Sequence, residues 1–327
     1  MIKLGIIGLG RMGTYHASVS ATLASVKLVG IADLKQENLQ NIKTPGILCF
    51  SDYRELLPLV DAVIIALPTD LHYEAAKEAL SAGVHVLIEK PLTRTIAQAE
   101  ELFEIAARKN VTLHVGHVER FNGALQELKK VIDAPYLIEM QRVGPFNARV
   151  AADSVVLDLM IHDLDLVLNL VPSPLKSFNV IGKKIHSTNC DIANVQLEFE
   201  NGTLASIFSS RASQIKNRSM AIHQEKEYIH LNFTTQDLAI HRGASSSIQV
   251  GQDQLRYKQE ALIEHLFVYK DNPLKLEIEH FINAVKTGAQ NNKPVEDTAA
   301  LRLTFAIEER LGLRPSIQFS LHENHSG

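Results

Sequence analysis

Positive charge is in short supply: 33 Lys and Arg stand against 37 Asp and Glu, for a formal net charge of −4. A protein that holds nucleic acid by neutralising phosphates needs the opposite balance. A local cleft can still differ in sign from the whole surface, so a small anionic ligand is not excluded. Cysteine is scarce too. Cys49 and Cys190 lie far apart, which gives no disulfide framework and no CxxC metal knuckle, and suits a reducing compartment. No apolar stretch reaches about 18 residues, so no membrane span is expected. The apolar start, residues 2–9, is too short for a signal peptide and is broken by Gly5 and Gly8. The expected compartment is therefore the cytoplasm.

What remains is an ordinary globular composition over 327 residues, which at roughly 150 residues each suggests two domains. In the first third, short apolar runs at 2–7, 27–32, 62–66, 84–88 and 112–115 read as strands. They are continuous rather than alternating, as buried parallel strands are. Amphipathic stretches at 13–24, 71–82 and 96–109 separate them, and strand–helix alternation predicts a doubly wound parallel sheet. After about His117 the pattern changes. A helix at 121–132, a strand at 136–143 and a long apolar helix at 154–171 are followed by strands near 195–200, 203–209, 219–233 and 247–255. Asn201-Gly202 suits a type I′ turn between two of them. Helices at 274–287 and 297–311 close the chain. The expected architecture is an N-terminal Rossmann domain at 1–118, an α+β domain with a largely antiparallel open sheet at 119–319, and a tail at 320–327.

Gly8-Leu9-Gly10-Arg11-Met12-Gly13 follows a strand and opens a helix, and Asp33 lies 20 residues after the last glycine. This is the dinucleotide fingerprint with its physical logic complete. Gly8 permits the tight turn, Gly10 lets the backbone approach a pyrophosphate, and Gly13 lets helix and strand pack. The helix start offers free N–H groups to phosphate. Asp33 can accept from the ribose hydroxyls and repels a 2′-phosphate. NAD is therefore the expected cofactor, with Lys35 keeping NADP open.

Three further groups end strands or ride a buried helix. Leu67-Pro68-Thr69-Asp70-Leu71-His72 and Glu89-Lys90-Pro91 follow strands, where an open parallel sheet borders its ligand. Lys90 can bond a substrate hydroxyl or a cofactor ribose. Asp158, His162 and Asp165 share one face of the helix at 154–171. An Asp beside a His orients the ring and makes it a better base. A structural Asp–His pair fits the same spacing. His114 and His117 lack a spaced third ligand, so no metal is expected. Arg120, Arg149 and Arg211 are candidates to face a diphosphate, since a guanidinium suits phosphate.

Together GLGRMG at 8–13, EKP at 89–91 and D-x-x-x-H at 158–162 resemble the Gfo/Idh/MocA oxidoreductases, over essentially the whole chain. Met160 stands where many members carry Gly. The resemblance implies catalytic roles for Lys90, Asp158 and His162. It implies a cofactor site at Gly8, Gly10, Arg11, Met12, Gly13, Asp33, Leu67, Pro68, Thr69, His72, Glu89, Lys90 and Arg120. It also implies a homodimer or homotetramer joined through the C-terminal sheet. The segments at 116–122, 145–149 and 158–165 resemble the subgroup described as UDP-N-acetylglucosamine 3-dehydrogenases. That adds Asn122 and Arg149 as substrate residues beside Lys90, Asp158 and His162, with Arg211 a further candidate from its place after the strand at 203–209. The expected activity is oxidation of a sugar hydroxyl, at the 3-position of a UDP-N-acetyl-hexosamine. A free-polyol dehydrogenase, acting on an inositol for example, is the alternative. A non-catalytic NAD-binding regulator is a further one. Neither nucleic acid nor membrane is an expected partner.

Overall fold

The computed structural model describes residues 1–40, 46–148, 151–250, 255–288 and 292–315. The first elements are β1 (Ile2–Ile7), α1 (Arg11–Ser20), β2 (Val26–Ala32), α2 (Gln36–Gln40), β3 (Leu48–Phe50), β4 (Ala62–Ile65), α3 (His72–Ser81), β5 (His85–Glu89), α4 (Ile96–Lys109) and β6 (Leu113–Gly116). Then come α5 (Gly123–Val131), β7 (Leu137–Val143), a π-helical turn (Val156–Met160) running into α6 (Ile161–Leu170), β8 (Leu175–Lys183), β9 (Ile192–Phe199) and β10 (Leu204–Ser210). The chain continues through β11 (Asn217–Gln224), β12 (Glu227–Asn232), β13 (Asp237–Val250), β14 (Leu255–His265), α7 (Pro273–Thr287) and α8 (Pro294–Arg310). Two compact units result. One holds residues 1–121 and 271–302; the other holds 122–270 and takes up the chain again at Leu303, inside α8.

The first unit is built on a parallel sheet of order β3-β2-β1-β4-β5-β6. Its central strands are apolar in succession because both faces are covered: Leu4, Ile6, Ile64, Ile65, Leu87 and Ile88 are all fully buried. Thr95 caps α4 by accepting the Gln98 N–H at 3.2 Å, and Asn110 ends it in the left-handed region. Helix α7 belongs to this unit. Its Leu274, Ile278, Phe281 and Ile282 fall at helical spacing and join Leu4, Ile6, Ala17 and Leu87 in one core.

The second unit carries an eight-stranded sheet of order β14-β13-β12-β11-β7-β10-β9-β8. Only β7 and β10 pair in parallel; the remaining neighbours are antiparallel. Ala193, Val195, Leu197 and Phe199 alternate inward along β9. These two sheets give the α/β plus α+β architecture that the pattern predicts.

Three local expectations change. The β9–β10 turn is not a two-residue type I′ turn: Asn201 stays out of the positive-φ region and only Gly202 enters it, at φ +85°. The Gly202 N–H reaches the Phe199 carbonyl, so Glu200 joins the loop and Gly202 forms the bulge. The expected helix at 154–171 opens with the π-turn, and the expected strand at 247–255 belongs to β13 and β14, with residues 251–254 outside the described set. Among the described residues, no helix is long and apolar enough to cross a membrane.

Candidate functional site

The glycine loop has the shape of a phosphate cradle. Gly8 sits at φ +90°. A Cβ on Gly13 would stand 1.7 Å from the Gly8 carbonyl oxygen, so only glycine lets α1 start this close to β1. Gly10 faces open space, with nothing within 4 Å of a Cβ built on it. No side chain caps α1, so its first N–H groups stay available to an anion. Arg11 and Met12 are exposed beside it.

Asp33 ties this loop to the end of β2. One carboxylate oxygen accepts the Leu9 N–H at 2.6 Å and the other the Lys35 N–H at 2.7 Å. Asp33 also lines a pocket of about 340 Å³ with Ser51, Asp52, Tyr53, Arg54 and Glu74. The Arg54 guanidinium is held there by Asp52 at 3.4 Å and Glu78 at 2.9 Å. These wall residues were not legible in the sequence, because β3 is three residues long and carries no pattern. The cradle, the free helix start and the carboxylate-lined pocket fit a dinucleotide. Gly8, Gly10 and Gly13 would take its pyrophosphate, and Asp33 its adenosine ribose.

His72 straps the loops after β4 and β5 together. Its Nε2 lies 2.8 Å from the Leu67 carbonyl oxygen and its Nδ1 2.9 Å from that of Pro91. Burial lowers its pKa although those carbonyls favour the cation. The strap fixes Pro68 and Thr69 on one side and Lys90, with its cis bond to Pro91, on the other. Glu89, just before Lys90, meets the fully buried His16 at 2.7 Å from Nε2. Arg120 does not stand open: its guanidinium bonds Asp297 at 2.9 Å.

In the second unit, Asp158 lies in the π-turn and His162 in the first turn of α6, both half-buried. A π-turn in a helix is a frequent mark of function. Met160 is buried between them. Asp163, one residue on, accepts two bonds from the buried Arg142, at 2.9 and 2.7 Å; no spacing in the sequence pairs these two. Asp165 is buried and accepts from Asn169 within its own helix.

The substrate candidates fare differently. Asn122 is buried and caps α5, accepting the Ala124 N–H at 3.1 Å and donating to the Phe233 carbonyl. Arg211, expected to face a diphosphate, is 2% exposed. Its Nε bonds Asp191 at 2.7 Å and its Nη2 bonds Ser187 at 3.0 Å. A guanidinium taken out of water is committed to such a partner. Arg149 lies outside the described residues. Cys49 and Cys190 are both free thiols. Among the described residues, no group of three or more His, Cys, Asp or Glu could hold a metal ion.

Residues 2–117 match the family described as an oxidoreductase family with an NAD-binding Rossmann fold, and residues 128–230 match the GFO/IDH/MocA C-terminal domain. The UDP-N-acetylglucosamine 3-dehydrogenase of Acidithiobacillus ferrooxidans is 33% identical over 97% of this chain and 99% of its own. The myo-inositol 2-dehydrogenase of Thermotoga maritima is 25% identical over 97% of this chain and 98% of its own. A solved structure of the Acidithiobacillus ferrooxidans UDP-N-acetylglucosamine 3-dehydrogenase superposes with a TM-score of 0.84 at 29% identity, over 94% of this chain and 96% of that one. The glycine cradle, the Glu89-Lys90-Pro91 turn, the two sheets and this near full-length likeness lead to one conclusion: the chain is an oxidoreductase of the Gfo/Idh/MocA family.

Proposed function

We propose that this enzyme is an NAD-dependent dehydrogenase that oxidises the 3-hydroxyl of a UDP-N-acetyl-hexosamine to a ketone. The observation that carries this reading is the 33% identity, along nearly the whole of both chains, with a protein named for that reaction. NAD is favoured over NADP by the charge of the adenosine pocket. Asp33, Asp52 and Glu74 put three carboxylates on its wall, while the Arg54 guanidinium is engaged by Asp52 and Glu78. A 2′-phosphate meets net repulsion there.

When bound, nicotinamide accepts a hydride from the carbinol carbon. In this reading His162 removes the hydroxyl proton, and Asp158 orients its ring and stabilises the imidazolium. Lys90 donates a hydrogen bond to the oxygen as negative charge grows on it. Arg149, in the segment before the π-turn, takes the diphosphate, a role that Arg211 gives up to Asp191. The open face of the eight-stranded sheet, where Gln141, Phe208, Ala221 and Tyr228 line a hollow, joins copies into a dimer or tetramer.

The 25% identity with an inositol dehydrogenase keeps oxidation of a free polyol as the second reading. Thermal shift of the NAD-loaded protein separates the two. UDP-N-acetylglucosamine and UDP alone raise the melting temperature if the first holds; an inositol does so while UDP fails if the second holds. NADH formation with the stabilising compound then distinguishes an enzyme from a cofactor-binding regulator.

A further inference from the structure

Among the described residues lining the pocket at Asp33, Arg54 is the one basic side chain. All three of its guanidinium nitrogens face carboxylates. Nε and Nη2 bond the two oxygens of Glu78 at 2.9 and 3.2 Å, and Nη1 reaches Asp52 Oδ2 at 3.4 Å. A two-point grip of this kind holds better than a single-point pair at an exposed site. The two acids are placed differently. Asp52 caps the short helical turn Tyr53–Glu55, its other oxygen accepting the Arg54 N–H at 2.9 Å, so it belongs to the same loop as Arg54. Glu78 comes from α3, 24 residues along the chain. Glu74, one turn earlier on α3, lines the pocket, and Glu78 does not. The bond to Arg54 lowers the Glu78 pKa, so Glu78 is ionised at neutral pH.

We propose that Glu78 determines cofactor specificity from outside the pocket: it withholds the Arg54 guanidinium from a 2′-phosphate. The proposal rests on the NAD reading above and adds a residue to it beyond Asp33. A guanidinium binds phosphate through the same paired N–H groups that Glu78 occupies. A 2′-phosphate entering the parent protein must therefore break the clamp or sit beside Asp33, Asp52 and Glu74 with no cation to offset them. The ribose 2′-hydroxyl of NAD is neutral and needs no cation, so the clamp leaves NAD untouched. Glu78 thus acts on the difference between the two cofactors, which is what specificity is. The Arg54 Cζ lies 5.5 Å from the centroid of the Tyr53 ring, another part of the pocket wall. A released guanidinium therefore keeps a resting place at the pocket.

Titration of the whole protein with NAD and with NADP tests this, without substrate or turnover. Glu78→Gln keeps the length of a half-buried side chain and removes its charge. Its NADP dissociation constant should fall about tenfold, the worth of a charge-assisted bond to phosphate, while NAD stays within twofold and reports an intact pocket. Arg54→Gln should weaken NADP by less than about threefold in the parent, where Arg54 is engaged, and by about tenfold in the Glu78→Gln background. Unchanged NADP affinity in Glu78→Gln overturns the proposal. So does a gain that survives in the Glu78→Gln/Arg54→Gln double variant, since loss of one negative charge would then explain it. An equal effect of Arg54→Gln in both backgrounds also overturns it, because Glu78 would then withhold nothing. A parent that binds neither cofactor defeats the NAD reading itself; a parent that binds NAD, with NADP unmoved in Glu78→Gln, defeats the role of Glu78 alone.

Discussion

The Asp33 carboxylate grips the amide of Leu9 at 2.6 Å, across 24 residues of chain. The same side chain that would read the ribose therefore also holds the glycine loop on β2. Asp33→Ala should weaken NAD by about 10–100-fold, the worth of one to two hydrogen bonds to a charged group. NADP should lose less, because the variant also removes repulsion, so the preference for NAD narrows. Fluorescence titration of both cofactors checks this. Equal dissociation constants for NAD and NADP in the parent protein would defeat the argument.

Asp158 in the π-turn and His162 in the first turn of α6 are half-buried in a segment that, Leu159 apart, is otherwise buried from Ser154 to Val167. His162→Ala should lower kcat by ~10²–10⁴, the range of general base catalysis. NAD affinity should stay within about twofold, because His162 lies in the second unit and the glycine cradle in the first. Asp158→Asn should fall between parent and His162→Ala and shift the pH profile of kcat. Near-parental turnover in His162→Ala would remove this residue from the mechanism.

The parts of the molecule that local physics determines were legible in the sequence. Continuous apolar runs such as residues 62–66 announce a strand covered on both faces, and Gly8 and Gly13 are dictated by the backbone itself. Partnerships between distant side chains were not. Nothing around Arg211 signals that Asp191, 20 residues earlier, will meet it in the core, and a surface or ligand-facing arginine looks the same in sequence. The apolar stripe of α7 says that the helix is packed but not that it packs on β1 and α1. The π-turn leaves the composition of its helix untouched and shifts only the register.

Arg211 and Asp191 are 2% and 0% exposed. Burial alone would raise the Asp191 pKa, but the Ile185 and His186 amides, the Ser187 hydroxyl and Arg211 hold it well below the usual carboxylate range. Removing one partner leaves the other charge buried and alone, so Arg211→Ala and Asp191→Ala should each cost about 3–5 kcal/mol. Urea unfolding measures this. At temperatures where Arg211→Ala remains folded, its KM for a UDP-sugar should equal that of the parent. A KM raised tenfold or more in a fully folded variant would return Arg211 to the substrate site.

His114 gives the fold a defined weakness toward acid. Burial pushes its pKa to about 4, with Asp297 pulling up and Arg120 pushing down. The unfolded residue takes its proton near pH 6.5. Between those two values the unfolded state binds more protons, so stability is full above about pH 6.5 and falls as the pH drops toward 4. The most this single group can remove is about 3 kcal/mol. Glu277 has the opposite sign, since its raised pKa adds relative stability as the pH falls toward the usual carboxyl value. The two side chains are 3.8 Å apart, so the effect of His114 is best isolated in the Glu277→Gln background. There, His114→Phe keeps a ring against Phe121, His280 and Phe281 and removes the titration. Guanidinium unfolding at pH 7 and pH 4.5 should show a smaller loss of stability for the double variant than for Glu277→Gln alone. An equal loss in both would mean that folded His114 takes up its proton in the same pH range as the unfolded residue, contrary to its burial.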